Sequence, residues 1–279
     1  MTISASQKST HTPQPARPDI IRPGPDGVTI WENHTPLGYD EAVATMENHI
    51  TAMQSGAAPE VLWFLEHHPV YTGGSSARDD ELLLSPDHHI PNPSHSPSHS
   101  TSDVRPIIRA TGRGGQWTYH APGQRIVYIM LDLNRRGRDI RAFVRGIEAW
   151  GISALAQCGI MGMRRAGAPG IWVYGDNKDK NRSGQPDDKI AAIGVRLSRW
   201  ISWHGIAINV AADMLDGFLH IIPCGIHDAG VTACAHMINQ PADMIMQQLD
   251  HALINQFSGT LGRYTDTDIA TIAPSQNSE

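Results

Sequence analysis

Cys224 lies between a proline and a glycine in the segment IIPCGIHDAGVTAC, residues 221–234. Apolar packing, metal binding and nucleophilic attack are the roles open to its thiol. A turn that contains Pro223 and Gly225 is badly suited to packing a side chain in a core. As a nucleophile, the sulfur would be presented at the sharp turn, with backbone N–H groups of residues 224–226 available to an oxyanion. A thiol with a pKa of about 8.5 then needs a nearby cation or dipole to react at neutral pH.

A zinc site is the alternative interpretation of the same segment. It and its flanks supply nitrogen and sulfur ligands of the kind that zinc prefers, namely His220, Cys224, His227, Cys234 and His236. This segment has no paired C-x-x-C or H-x-x-x-H motif, and zinc does not require the constrained Pro-Cys-Gly turn. A non-catalytic zinc-binding module therefore stays open as a second hypothesis.

The stretch TGRGGQWTYHAPGQ, residues 111–124, combines flexible backbone with polar side chains. Glycines let a backbone approach a ligand closely and point its N–H groups inward. Their spacing is neither G-x-G-x-x-G nor a Walker P-loop, so a nucleotide is not indicated. The glycines alone would indicate an ordinary turn. The dense polar side chains among them favour a pocket wall.

Two further polar residues stand in strand-like segments. Lys189 begins KIAAIGVRLSRW, and a lysine at a strand end is by itself most often a solvated charge. In SWHGIAINV the alternating pattern places His204 on the face opposite Trp203 and Gly205. A lone histidine in such a strand is more often a hydrogen-bonded structural residue than a catalyst.

Hydrophobic periodicity predicts three helices. The first carries an apolar face from Tyr39 to Met53 and is closed by Gly56, the second runs from an Asp139 cap to Gly159, and the third begins at Pro241. Strands are predicted at residues 61–65, 106–110, 125–133, 171–175, 189–200 and 201–210. Strands and helices are interleaved without a strict βαβ rhythm. The fold class is therefore α+β, a mixed β-sheet domain with flanking helices.

Composition divides the chain into one domain and several polar segments. Residues 1–25 are predicted to be disordered and residues 265–279 to form a flexible tail. Between them, residues 26–264 are expected to form a single catalytic domain. Polar insertions, rich in Ser and Pro near 85–104 and in Asp, Lys and Asn near 175–188, are expected to be mobile.

The bulk properties exclude several classes of protein. The net charge of −6 argues against a general nucleic-acid binder, which needs clustered Lys and Arg. No apolar run is long enough to span a bilayer, and the N-terminus lacks the apolar region of a secretory signal. A cytoplasmic protein with three free cysteines is therefore expected, and Cys158 is interpreted as a small core residue on its helix.

Five segments together resemble the lipoyl(octanoyl) transferases, the octanoyl-[acyl-carrier-protein]:protein N-octanoyltransferases of lipoate biosynthesis. In chain order they are LEHHPVYTGG, RGGQWTYHAPGQ, PGIWV, KIAAIGVRLSRWISWHGIAINV and PCGIHDAGVTA. The resemblance runs from about Leu65 to Ala233 and is interrupted by the two insertions. It implies a fold similar to the catalytic domain of biotin and lipoate protein ligases.

The resemblance also implies a reaction and its residues. Cys224 would take octanoyl from the phosphopantetheine thioester of acyl carrier protein, with Lys189 as its catalytic partner and without ATP or metal. The acceptors would be lysines in lipoyl domains of 2-oxoacid dehydrogenase complexes and in the glycine cleavage H protein, with neither nucleic acid nor membrane as a partner. The residues implied to form the acyl pocket are Arg113, Gly114, Gly115, Gln116, Trp117, Thr118, Tyr119, His120, Ala192, Ile193, Gly194, Gly205, Ile206 and Ala207.

An ATP-dependent lipoate or biotin protein ligase is the nearest alternative, because GRGG and the Lys189 segment resemble that superfamily too. Such ligases activate the acid as an adenylate and need no cysteine nucleophile. Cys224 in its Pro-Cys-Gly setting favours the transferase. The arginine-rich stretch NRRGRDIRAFVR, residues 134–145, is interpreted either as a solvated helix start or as a docking patch for an acidic carrier protein.

Overall fold

The computed structural model describes residues 13–84, 106–175, 188–222 and 229–263. The two predicted insertions lie outside these ranges, apart from their end residues 175 and 188, and so does the predicted C-terminal tail. Cys224, with the rest of residues 223–228, also lies outside them. Among the described helices, none has the length and apolar composition that a membrane crossing requires.

A nine-stranded mixed sheet forms the centre of the fold. Eight of its strands are, in spatial order, β1 (Ile20–Pro23), β2 (Thr29–Glu32), β3 (Val61–Leu65), β7 (Gln124–Met130), β11 (Ile201–Asn209), β10 (Asp188–Ser198), β9 (Ala168–Val173) and β8 (Met163–Arg165). The ninth, β12 (Gly230–Val231), pairs with β10. The β2–β3 and β10–β12 pairs are parallel, and the other neighbours are antiparallel.

A smaller sheet of three strands stands beside the large one. Its strands are β4 (Val70–Gly73), β5 (Ile107–Ala110) and β6 (Trp117–His120). β4 lies in the middle, parallel to β5 and antiparallel to β6. The polar stretch 111–116 is the loop that connects β5 to β6, the two outer strands of the small sheet.

Alternation along the central strands gives the large sheet two apolar faces. On β3, Leu62 and Phe64 belong to one buried cluster, and Val61, Trp63 and Leu65 belong to the other. The first face is covered by α2 (Ile140–Gln157), the short α3 (Cys234–Met237) and α4 (Ala242–Gln256), and the second by α1 (Tyr39–Gln54). The molecule is thus a helix–sheet–helix sandwich, with the period-two pattern of the strands deciding which side chain enters which layer.

The predicted mixed-sheet α+β class is confirmed, and so are the three helices. α2 begins where expected, because the Asp139 carboxylate accepts hydrogen bonds from the backbone N–H groups of Arg141 and Ala142. Gly56 and Gly159, which follow α1 and α2, have φ angles of 75° and 83°, the left-handed conformation that glycine adopts without strain. Cys158 caps α2 and packs against the core, as predicted.

The disorder predicted for residues 1–25 is wrong for residues 20–23, which form β1. Their backbone pairs with β2 at the edge of the large sheet, so the segment is held by main-chain hydrogen bonds and not by burial of its side chains. The short strands β2, β4, β6, β8 and β12 were not predicted either. Each spans four residues or fewer, too few for alternation to be recognised.

Candidate active site

A cavity of about 480 Å³ lies where β6 and the loop before it face β10 and β11. Fifteen of the sixteen site residues predicted above can be located, because Cys224 lies outside the described residues. Lys189 and all but one of the fourteen pocket residues line this cavity. The large sheet, the small sheet and the loop between β5 and β6 therefore converge on one site.

Tyr119 is the exception, and its assignment to the pocket wall is wrong. Successive side chains of a strand point to opposite faces, so Tyr119 points away from Thr118 and His120. Its ring is buried against Tyr71, with 4.9 Å between ring centroids, and packs edge-on against Phe218. Tyr119 supports the small sheet from behind and does not face the cavity.

Arg113 organises the polar loop from within. Its buried guanidinium donates through Nη2 to the carbonyl and the hydroxyl oxygens of Thr72, at 2.6 and 2.8 Å, and to the carbonyl of Gln116 at 3.1 Å. The backbone N–H of Gly114 donates to Val195 O on β10 at 2.9 Å. Gly194 beside it must lack a side chain, because an added Cβ would approach Arg113 Cδ to 2.9 Å. The loop is thus fixed to both sheets at once.

A chain of hydrogen bonds runs from Arg113 through the site. Thr72 Oγ1 accepts from Arg113, so its own hydrogen is left to donate to His120 Nε2 at 3.3 Å. His120 Nδ1 then donates to Gln124 Oε1 at 2.7 Å, and Gln124 Nε2 donates to Asn209 Oδ1 at 2.9 Å. The donors and acceptors alternate without conflict, which assigns the neutral Nδ1–H tautomer to His120.

This series of hydrogen bonds ends at residues that follow segment 223–228, which lies outside the described residues. Asn209 Nδ2 donates to Thr232 O at 2.9 Å, and Thr232 N donates to Lys189 O at 3.0 Å. In β12, Gly230 and Val231 pair with Asp188 and Lys189 of β10. The chain that emerges after Cys224 is therefore fastened directly to the strand that carries Lys189.

The Lys189 side chain is buried, with only 7% of its surface exposed. Its Nζ lies 5.2 Å from the ring centroid of Trp172, a cation–π contact. Gly170, with a φ angle of 131°, leaves room for the lysine, since an added Cβ would lie 2.4 Å from Lys189 Cε and 2.7 Å from Ala191 O. The interpretation of Lys189 as a solvated charge is therefore wrong. Its amine is enclosed and lines the cavity.

Two more histidines stand close to His120. His67 donates through Nδ1 to Leu37 O at 3.0 Å and accepts through Nε2 from the Tyr128 hydroxyl at 2.6 Å. His204 lies edge-on to Tyr128, with 5.8 Å between centroids. Burial lowers the pKa of His67 to about 4, and lowers those of His120 and His204 to about 3, with further contributions from neighbouring histidines and Arg113. All three rings are therefore neutral at pH 7.

His204 does not follow the alternation that the sequence pattern predicts. Its ring stacks on that of the adjacent Trp203, at 5.1 Å and 16°, so the two side chains are not on opposite faces. The reason is its φ angle of 61°, which turns the strand locally into the left-handed region. Within the described part of the chain its ring has no hydrogen-bond partner, unlike the structural histidine predicted from the pattern.

The described residues bear only partly on the zinc hypothesis. Cys234, the first residue of α3, is fully buried in the core, where burial raises the pKa of its thiol to about 12. A protonated thiol in an apolar core is not a zinc ligand. Cys224 and His227 lie outside the described residues, and no cluster of three or more metal-ligating side chains occurs in the described ranges.

Sequence patterns missed several residues of the cavity wall. They are Tyr39, Ser76, Ile126, Tyr128, Ile140, Val144, Gly167, Ala168, Pro169, Val195 and His204. Tyr39 and Ile140 were recognised only as apolar positions of helices, because each is the first residue of its helix and the site lies at these helix starts. The available signal was at Pro169, Val195 and His204, which stand inside two of the quoted segments.

The three buried histidines predict a loss of stability in acid. Each is neutral in the folded state but has a pKa near 6.5 when unfolded, so the unfolded chain binds more protons below pH 6.5. The stabilisation is fully present above pH 6.5 and is lost as the pH falls towards 3–4, by about 1.4 kcal/mol per pH unit for each histidine. Urea unfolding at pH 7.5 and 5 should show this difference, and His67→Gln should reduce it by one histidine's share. Equal stability at both pH values would contradict the assignment.

Comparison with known proteins agrees with this fold. The catalytic domain of lipoyl protein ligases A and B matches residues 38–258. An octanoyltransferase of Cereibacter sphaeroides is 45% identical over 221 residues, which cover 79% of this chain and 91% of that protein. An octanoyltransferase of Brucella suis is 41% identical over 271 residues, with coverages of 94% and 92%.

Solved structures extend the likeness to the fold. A bi-partite lipoate protein ligase from Thermoplasma acidophilum superimposes with a TM-score of 0.51 at 15% identity, covering 88% of each chain. The resemblance to lipoyl(octanoyl) transferases inferred from sequence motifs is confirmed by the curated relatives. The match over residues 38–258, together with identities above 40% across most of both chains, shows that the chain belongs to the lipoyl protein ligase A/B catalytic-domain family.

Proposed function

We propose that this protein is an octanoyltransferase that moves an octanoyl group from acyl carrier protein to a lysine of a lipoyl domain through a thioester on Cys224. The carrying observation is the enclosed amine of Lys189 at one end of a cavity whose wall is largely apolar, in a chain more than 40% identical to proteins named octanoyltransferase. The apolar wall residues suited to an acyl chain are Ile126, Val144, Ile193, Val195 and Ile206.

The reaction has two balanced steps. The Cys224 thiolate attacks the carbonyl carbon of the carrier-bound thioester, a new carbon–sulfur bond forms, and the pantetheine thiolate leaves and takes up a proton. The acceptor lysine amine then attacks the enzyme thioester, the carbon–sulfur bond breaks, and an amide and free Cys224 result. The first step exchanges one thioester for another and the second is downhill, so no nucleotide is required.

Lys189 has two roles in this scheme. As an ammonium close to the sulfur it would favour the thiolate over the thiol. It would then protonate the leaving pantetheine thiolate, and the neutral amine that results would take the proton that the acceptor amine loses during attack. The pairing of β12 with β10 supports this arrangement, because it fastens the chain that follows Cys224 beside Lys189.

An ATP-dependent ligase remains the alternative within the same fold. Such an enzyme would require a nucleotide and would proceed through an acyl-adenylate, with Cys224 dispensable. Octanoyl transfer from acyl carrier protein in the absence of ATP separates the two reactions. A zinc-dependent role predicts instead that transfer, or folding, is lost after chelation and is restored by zinc.

Intact mass spectrometry tests the thioester directly. After mixing with octanoyl-acyl carrier protein, the wild type should gain one octanoyl group, and Cys224→Ala should gain none. Cys158→Ala and Cys234→Ala are matched controls that should still be acylated, because Cys158 is a helix C-cap residue packed against the core and Cys234 is buried within it. Acylation of Cys224→Ala, or its normal turnover, would show that the assignment is wrong.

Substitutions of Lys189 separate its two roles. Lys189→Ala should slow acylation most at neutral pH, by about tenfold or more, with partial recovery as the pH rises and the thiolate forms unaided. Lys189→Arg keeps the charge but is not a base near neutral pH. It should form acyl-enzyme and then stall before transfer, as seen by mass. If Lys189→Arg instead carries out both acylation and transfer to the acceptor, Lys189 acts only as a positive charge near the sulfur.

The arginine-rich stretch lies at the rim of the cavity. Ile140, which is 44% exposed, lines the cavity, and the exposed Arg138 and Arg141 flank it in sequence. Arg136 has another role, since its guanidinium forms a largely buried ion pair with Glu60. An acidic carrier protein that delivers its arm to this opening would meet Arg138 and Arg141 first, which favours the docking interpretation for these two residues.

Charge reversal tests the docking surface. Arg138→Glu combined with Arg141→Glu should raise the KM for the carrier-bound donor about tenfold at low salt and flatten its dependence on salt. Arg17→Glu combined with Arg22→Glu is a control of equal net charge, because both residues are exposed and neither lines the cavity, Arg22 being on the edge strand β1, where it pairs with Glu32. An unchanged donor KM in the first variant would eliminate the docking role.

A further inference from the structure

The cavity ends at a wall that two residues share with a second cavity. Four consecutive pairs of the β10–β11 ladder line the main cavity: Ala192–Ala207, Ile193–Ile206, Gly194–Gly205 and Val195–His204. The next pair, Arg196–Trp203, lines a separate cavity of about 190 Å³. Among the described residues, Tyr39 and His204 are the two that line both spaces.

The wall is held from several sides. Tyr39 and His204 are buried, at 6% and 4% exposed, and each lines both spaces. The Tyr39 ring lies edge-on to His67 at 5.4 Å, while His204 lies between Tyr128 and Trp203. Aromatic contacts of this kind define ring positions without filling the space on either side.

The backbone at His204 is strained for the residue it carries. A φ angle of 61° lies in the left-handed region, which favours glycine and is strained for a residue with a side chain. Strain of this kind persists where the side chain has a use. Here the strained residue is the one that closes the cavity, and its neutral ring is compatible with an apolar neighbour.

The distance to this wall from Lys189, beside which the chain after Cys224 is paired, is close to the length of an octanoyl chain. The end of the Lys189 side chain lies level with Ala191, since both would contact a Cβ on Gly170. Ala191 and Val195 are four residues apart on β10, about 13 Å. After about 4 Å for van der Waals contact at the wall, about 9 Å remains. An extended octanoyl chain, with carbon–carbon bonds of about 1.5 Å, spans about 9 Å.

We propose that Tyr39 and His204 determine the upper limit of acyl chain length by closing the end of the acyl cavity. The inference rests on the proposed acyl transfer through Cys224 and deepens it to substrate selection. A longer chain would meet the two rings, and the second cavity lies behind them. Removing either ring joins the two cavities and admits the extra methylenes.

The test compares octanoyl-, decanoyl- and dodecanoyl-acyl carrier protein in single-turnover acylation, followed by intact mass. His204→Gly is the opening variant, because the backbone there already favours glycine. In the wild type the two rings exclude the methylenes beyond octanoyl, and opening the wall removes this steric block, with charged side chains (Asp40, Glu47, Arg109 and Arg196) as well as Val43 and Trp203 lining the space behind it. The ratio of dodecanoyl to octanoyl acylation should therefore rise at least tenfold over the wild type.

Two other variants serve as a second way to open the wall and as a control. Tyr39→Ala opens the wall from its other side and should relax the chain-length limit in the same way, so the test survives if His204→Gly folds poorly. Val43→Ala enlarges only the second cavity, which Val43 lines, and should leave the ratio unchanged. A similar gain in Val43→Ala would mean that the wall does not act as the limit.

Binding of free octanoate and dodecanoate, measured by calorimetry, separates this proposal from the proposed function. Suppose that carrier-bound chains fail to acylate the wild type while dodecanoate binding still improves at least tenfold in His204→Gly. In that case the proposed function is wrong, but the role of Tyr39 and His204 in limiting chain length is supported. If acylation occurs and both opened variants fold but retain the wild-type ratios in both assays, the wall is overturned.

Discussion

Strand β10 is the constraint on which the rest of the site depends, because it pairs with three other strands. β11 pairs with it from Ala191 to Ser198, while β9 pairs antiparallel and β12 parallel with its first residues. The ladder is irregular only between Lys189 and Ala191, on the β9 side. β-bulges redirect side chains at this kind of position. Lys189 is consequently buried at a junction of three strands, and its location does not depend on its own side-chain contacts.

Glycine has two different tasks around β10. At Gly194 the backbone must approach the Arg113 side chain, so the small residue brings the loop and the strand together. At Gly170 the missing side chain instead makes room for Lys189. Both glycines stand in segments that resemble the transferase family, and the structure gives each a steric reason. Alanine at either position would displace a charged side chain of the site.

Long periodic elements were predictable from sequence, and short or irregular ones were not. The apolar faces of α1, α2 and α4 and the alternation of β7 and β11 repeat often enough to reveal their type. β1, in contrast, is exposed and is stabilised by pairing with β2, which no local pattern shows. The pocket residues on β10 and β11 came from the family resemblance. Tyr119 was included with them only because it stands between two residues that do face the cavity.

His204 shows why the residues that close the cavity could not be predicted from the alternation of residues in a strand. Alternation assumes extended backbone, and a single left-handed residue reverses the face of its side chain without changing the pairing register. The register stays intact because His204 still pairs with Val195, so the neighbouring residues Gly205 and Ile206 keep their predicted positions on the ladder.

The polar groups of the cavity explain how it accommodates an apolar chain. Arg113, His120, Gln124 and Asn209 satisfy one another in a continuous series of hydrogen bonds, and His67 is satisfied by Tyr128. Because these groups already have partners, an alkyl chain that displaces water from their surface does not leave them unpaired. The same burial keeps the histidines uncharged at neutral pH. Arg113 and His120 thus do not need water when an apolar chain fills the cavity, whereas the Tyr39 hydroxyl, Gln116 Oε1 and the His204 ring line it without a partner among the described residues.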